Sequence, residues 1–165
     1  MSIYTPIVDA SKSDFMHNYL DTLSMVERLH RLLLDVIKDD FERLGILEIN
    51  AVQGLLLFNV GDHEVSAGEL KSRGYYQGSN VSYNLKKLVE MGYMEHHRCE
   101  LDRRSVRVKL SQKGKVVRDS IATLFKGHAG GMIDKNILDP KSIVSITKTL
   151  REVERYWTDQ IRYIY

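Results

Sequence analysis

The stretch from His63 to Gly114 constrains this chain most, because a run of distinct local signals follows one another there without a gap. It reads as a short helix, a turn, a second helix, a tight β-hairpin and the start of a third helix. Ser66-Ala67-Gly68-Glu69 has the S-x-x-E spacing of a capping box, in which serine and glutamate each satisfy a free backbone donor. A helix follows through Leu70, with Gly74 as its stop and Tyr75-Tyr76 as a packing element of the turn, with one ring against sugar or phosphate as the alternative. The second helix runs from Ser79 to Met91 and is ended by Gly92. Two short helices joined this way form the skeleton of a helix-turn-helix.

On the second helix, Val81, Leu85, Leu88 and Val89 share one face, the spacing of a buried stripe. Ser79, Asn80, Tyr83, Lys86, Lys87 and Glu90 occupy the other. Amides, hydroxyls and cations on a helix of this size can address base edges and phosphates in a DNA major groove. A merely solvated face has the same composition, so the helix alone does not decide. The hairpin after it shifts the balance. Tyr93 to Cys99 reads as a strand, and Ser105 to Leu110 alternates apolar and polar residues at period two. Val106, Val108 and Leu110 then face a core while Arg107 and Lys109 point outward. Between the strands, Glu100-Leu101-Asp102-Arg103-Arg104 forms a charged tip. A basic hairpin beside a basic helix can place cations in a minor groove. The expected fold is mainly α with a small β-hairpin wing, a winged helix-turn-helix.

The order Gly92-Tyr93-Met94, a hairpin with Asp102-Arg103-Arg104-Ser105, then Leu110-Ser111-Gln112-Lys113-Gly114 resembles the MarR family of bacterial transcription regulators. That family's pattern runs G-[LY]-[VI], a wing with D-x-R, then L-T-x-x-G. The resemblance implies that Asp102 braces the wing and Arg104 enters the minor groove. It also implies a homodimer paired through the terminal helices and a small-molecule effector that changes the spacing of the two heads. The family pocket lies where the first long helix, the second helix and the head meet. Leu55 and Phe58 are candidates for lining it, with ordinary core packing as the alternative. Two positions depart from the pattern: Ser111 replaces the usual threonine, and His96 and His97 stand where arginines are common.

Charge agrees with a nucleic-acid partner. The chain's net +2 conceals a segment from His63 to Lys126 with 13 Lys/Arg against 7 Asp/Glu, a net +6, while the remainder carries −4. Positive charge concentrated on the presumed reading head is the electrostatic footprint of DNA binding. Hydrophobic residues make up 43% of the 165, enough for a packed core in one domain. The single cysteine, Cys99, excludes an intrachain disulfide and fits a reducing cytoplasm. It reads as a half-buried strand residue, with redox sensing at the wing base as the alternative. No signal peptide or membrane span is recognisable.

Outside the head, Ser13 is the expected cap of a long helix to about Leu44, with Phe15, Tyr19, Leu20, Leu23, Val26, Leu29, Leu33, Val36, Ile37 and Phe41 recurring at helical spacing. Asn50 caps an apolar helix that ends before Gly61, and its composition predicts burial on most sides. Ser111 caps the helix carrying Val117, Ile121, Leu124 and Phe125. Gly127, Gly130 and Gly131 predict a bend or loop after it. Asp139-Pro140 starts a last helix with Ile143, Ile146, Leu150, Val153, Trp157, Ile161 and Ile164 on one stripe. These patterns divide the single chain, residues 1–165, into a DNA-binding region over 46–126 and dimerisation regions over 13–45 and 127–165. Apolar stripes too long for one head to cover predict association.

No catalytic constellation, P-loop, dinucleotide fingerprint or metal-ligand spacing is present in the sequence. The expectation is a cytoplasmic bacterial regulator without cofactor or catalytic activity, binding a pseudo-palindromic double-stranded operator as a homodimer. The rival is a winged-helix protein-interaction module that does not bind DNA; an acidic or apolar recognition face would favour it.

Overall fold

The computed structural model describes residues 10–72, 78–98 and 106–164. In chain order these form α1 (Ala10–Leu44), α2 (Ala51–Val60), β1 (Val65–Ser66), α3 (Ala67–Ser72), α4 (Gly78–Glu90), β2 (Met94–Arg98), β3 (Val106–Leu110), α5 (Gln112–Asp134) and α6 (Pro140–Ile164). They divide into two compact units, one through Ile121 and one from Ala122.

The first unit holds the core. At 35 residues, α1 is about 52 Å long at 1.5 Å per residue, and only its C-terminal part is covered. Ile37 and Phe41 are buried, while Phe15 is 70% exposed and Val26 and Leu29 also face solvent. The helix already includes Ala10, so Ser13 lies inside it and is not its cap. Nothing in Ala10-Ser11-Lys12 breaks a helix, and alanine and lysine favour one. The next helix is capped as its sequence implies. The Asn50 side chain accepts from the Gln53 amide at 2.8 Å, and the Gln53 side chain accepts from the Asn50 amide at 3.1 Å. Every residue of α2 is buried or half-buried. Gly54 permits its close approach to α1, since a Cβ there would collide with the Phe41 ring.

The sheet has three antiparallel strands in the order β1-β3-β2. The antiparallel pairing of β2 with β3 is as expected. The two-residue strand β1 is an addition, too short to show an alternation of its own. It pairs Val65 with Val108 and Ser66 with Arg107. Val65, Met94, Val108 and Leu110 close one side of the core, against Leu70, Val81, Leu85 and Leu88 from α3 and α4.

Three helices end in the same hydrogen-bonded motif, with a left-handed residue just past the helix. Gly45 (φ 72), Gly92 (φ 77) and Asn136 (φ 53) occupy that position. The following amides, of Ile46, Tyr93 and Ile137, reach back to the carbonyls of Phe41, Leu88 and Met132 at 2.8, 2.9 and 2.9 Å. This corrects the expected bend at Gly127, Gly130 and Gly131, because α5 continues through all three and stops only before Asn136. A glycine costs a helix only about 1 kcal/mol relative to alanine, which an otherwise regular ladder tolerates. Residues 126 and 127 both lie within α5.

In the second unit, Asp139 Oδ1 accepts from the amides of Lys141 at 2.7 Å and Ser142 at 3.0 Å, capping α6 with Pro140 at its first position. Those hydrogen bonds hold the Asp139 carboxyl below its ordinary pKa. The stripe along α6 is exposed at Ile143, Ile146, Leu150, Trp157 and Ile161.

Gly114 and Gly130 separate packing from propensity. A Cβ on Gly114 would overlap the Tyr93 carbonyl oxygen, whereas one on Gly130 would meet nothing. In urea denaturation, Gly114→Ala is expected to lose about 1–3 kcal/mol, and Gly130→Ala to gain up to about 1 kcal/mol.

Candidate nucleic-acid interface

The fourth helix is seated by its apolar seam. Val81, Leu85 and Leu88 are buried and Val89 is half-buried, which fixes which way the polar face looks. Asn80, Tyr83 and Lys86 are exposed on that face, Tyr83 to 61%. Asn84 donates from its side chain to the Asn80 carbonyl at 2.9 Å, so it is tied to its own helix. Lys87 donates to Glu90 at 3.1 Å, and Lys86 lies 3.9 Å from the same carboxylate. The Glu90 hydrogen bond raises the Lys87 pKa, keeping that cation charged and partly neutralised. Ser79 belongs to α4, but its side chain lies outside the described ones.

The wing is described only at its base. Asp102, Arg103 and Arg104 lie outside the described residues, as do Cys99, Gly74 and the Tyr75-Tyr76 pair. At the base, Lys109 pairs with Glu95 at 4.0 Å. His96 and His97 are both exposed, and His97 Nδ1 sits 3.3 Å from Glu64 Oε1. Arg107 does not project freely. It donates to Glu69 Oε1 at 2.6 Å and is only 32% exposed along its side chain.

The base is held to the helices by contacts that the sequence did not reveal. Glu48, from the loop between α1 and α2, accepts from the Tyr93 hydroxyl at 2.8 Å and from Lys113 Nζ at 2.7 Å. The Lys113 ammonium also lies 4.2 Å from the centre of the Tyr93 ring. Hydrogen bonding to Lys113, then to Tyr93, holds the Glu48 carboxyl below its ordinary value of 4.5. Burial first, then the bond to Glu48, pushes the Tyr93 hydroxyl up. Elsewhere on α5, Arg118 pairs with Asp62 and Asp119. The partners of Glu48 stand 45 and 65 residues away, beyond the reach of any local pattern.

Leu55 and Phe58 are half-buried on α2. Neither lines the cavity of about 510 Å³ found between α1 and the start of α2, whose walls include Leu34, Lys38, Phe41, Ile46, Ile49 and Val52. Among the described residues, no group of His, Cys, Asp or Glu could hold a metal ion, and no helix is long and apolar enough to cross a membrane.

A helix-turn-helix with a three-stranded wing base and an outward polar helix defines a winged helix-turn-helix protein. Residues 49–114 match the family described as "Winged helix DNA-binding domain". Over 159 residues, covering 96% of this chain and 81% of the relative, the sequence is 30% identical to the exopolysaccharide II synthesis transcriptional activator ExpG of Rhizobium meliloti. The fold matches a MarR transcriptional regulator from Methanosarcina mazei with a TM-score of 0.64 at 23% identity, covering 82% of this chain and 95% of that one. It also matches Streptococcus pneumoniae FabT, solved in complex with DNA, with a TM-score of 0.68 at 19% identity over 86% and 98% of the two chains. The chain belongs to the MarR family of winged helix-turn-helix transcription regulators, which are DNA-binding proteins and not enzymes.

The Glu48 cluster generates a pH dependence with a defined sign. A carboxyl held below its ordinary pKa adds stability above pH 4.5, and that contribution is lost as pH falls through the depressed value. Glu48→Gln is therefore expected to lower the melting temperature at pH 7 and to converge with the unsubstituted protein at acidic pH. Parallel melting curves across that range would remove the contribution of this cluster.

Proposed function

We propose that this regulator binds a pseudo-palindromic operator as a homodimer, with α4 in the major groove of each half-site and the two helices about one turn apart. The observation that carries this is the polar face of α4, where Asn80, Tyr83 and Lys86 stand exposed above a buried seam. Asn80 and Tyr83 supply base-edge contacts, and Lys86 and Lys87 supply phosphate contacts. Asp102, Arg103 and Arg104 act at the wing tip, as the family pattern implies. Support for pairing comes from exposed apolar side chains on both terminal helices, including Phe15, Leu29, Leu150 and Trp157. A small-molecule effector is proposed for the cavity between α1 and α2, whose walls are apolar with Asp35, Lys38 and Glu42 among them. An operator-binding role places the protein in the cytoplasm of a bacterial cell.

Sedimentation at micromolar concentration should give a dimer, and a monomer would overturn the paired arrangement. On a duplex selected from random DNA, Asn80→Ala and Tyr83→Ala are expected to cost about 1–3 kcal/mol at particular base pairs. Lys86→Ala should weaken all sequences alike and reduce the salt slope by about 1. Lys87→Ala should do less, because Glu90 already neutralises that cation. Unchanged affinity in all four variants would take α4 out of the interface.

A further inference from the structure

We propose that Glu69 is a positioning residue for DNA binding, a two-sided clamp that ties the first helix of the helix-turn-helix to the central wing strand through Arg107. The inference rests on the DNA-binding reading and deepens it. One carboxylate oxygen, Oε2, accepts from the Ser66 amide at 2.8 Å, while Ser66 Oγ accepts from the Glu69 amide at 3.1 Å. The other oxygen, Oε1, accepts from the Arg107 guanidinium at 2.6 Å. Ser66 is itself the ladder partner of Arg107 in the β1–β3 pairing. Ser66, Glu69 and Arg107 thus close a ring that joins α3, β1 and β3.

The charge placement makes the clamp more than a surface ion pair. Exposed pairs contribute little because water screens them. Arg107 is two-thirds covered, and its Nε is buried without a hydrogen-bond partner among the described residues. A guanidinium so placed depends on the carboxylate it has, because removing one partner of a covered pair leaves an uncompensated charge. The strand it belongs to, Val106–Leu110, is the middle one of the sheet and starts two residues past Arg104 in sequence. Fixing β3 to α3 therefore sets the wing's register against the helix pair that carries α4. The rival role for Arg107, a direct phosphate contact, requires it to leave Glu69.

Salt-dependent anisotropy titrations on a duplex selected by the unsubstituted protein separate these roles. The variants are Glu69→Gln, Arg107→Gln, Arg107→Lys and the Glu69→Gln/Arg107→Gln pair, each checked by thermal melting. Glutamine preserves the capping box, and Arg107→Gln leaves it untouched, so the clamp is read even if the first variant melts early. Each glutamine variant is expected to bind about tenfold more weakly, and the pair no more weakly than either alone. Arg107→Lys should recover most of the loss, and the salt slope should stay unchanged throughout. Binding by Glu69→Gln equal to or tighter than that of the unsubstituted protein would overturn the clamp. So would additive losses, or a salt slope reduced by about 1 in Arg107→Gln, the mark of a phosphate contact. Failure of the unsubstituted protein to select any duplex would instead overturn the DNA-binding reading beneath it.

Discussion

The rest of the head depends on the backbone junction between Gly92-Tyr93 and Ser111–Gly114. The Ser111 amide donates to the Tyr93 carbonyl at 3.1 Å, and its hydroxyl donates to the Gly92 carbonyl at 2.6 Å. The same hydroxyl accepts from the Gly114 amide at 3.1 Å, and Lys113 reaches the Met91 carbonyl at 3.3 Å. The end of α4, the start of β2, the end of β3 and the first turn of α5 are all fixed within these few residues. Each buried backbone group there has to find a partner, and the partners are supplied by the neighbouring element. Serine in place of the family's usual threonine keeps the oxygen that makes these bonds, so the departure at Ser111 leaves the junction intact. Gly114 is required for a separate reason, since the Tyr93 carbonyl occupies the space of a side chain.

This junction holds α4 and the base of the β2–β3 hairpin together, and the charges around it divide into two kinds. Lys113 with Glu48, Arg107 with Glu69 and Arg118 with Asp62 link different elements. Lys86 and Lys87 with Glu90 stay within one helix. Pairs of the second kind contribute little to stability in water. They keep the two cations ordered along α4 while leaving them free to exchange one anionic partner for another. The net positive charge of the head is therefore not a uniform coating. Part of it serves as internal fastening, and the rest is available to a polyanion.

What was legible in the sequence was what the chain encodes locally. The capping box at Ser66 and the caps at Asn50 and Asp139 appear in the structure, and the Asn50 cap is a full capping box with Gln53. The seam of α4 was legible because a buried face imposes a helical period. The strand β1 was not, since two residues carry no period. The bend expected at Gly127, Gly130 and Gly131 failed because propensity is a weak term beside a continuous ladder. Asn136, a residue with no glycine signal, stops the helix instead. The clamp at Glu69 and the cluster at Glu48 join residues 38 to 65 positions apart, so only the folded chain brings them together. Of the presumed DNA contacts, the face of α4 followed from periodicity, whereas the wing-tip roles came from the family resemblance alone.

The long first helix shows how a force on its exposed end would reach the head without a separate device. Its apolar stripe is one continuous pattern in sequence, yet the fold covers only the end carrying Ile37 and Phe41. That end is packed tightly, because Gly54 lets the Phe41 ring approach the backbone of α2 with no room for even a methyl group. Close-packed interiors transmit displacement instead of absorbing it. A second copy covering Phe15 to Leu29 would therefore grip the free end of a rod whose other end is set into the core. Any tilt of that end would be carried through Phe41 and Gly54 into α2 and the sheet beyond. The cavity between α1 and the start of α2 lies beside this joint and shares Phe41 with it. A ligand seated there would act where a small shift has the longest lever.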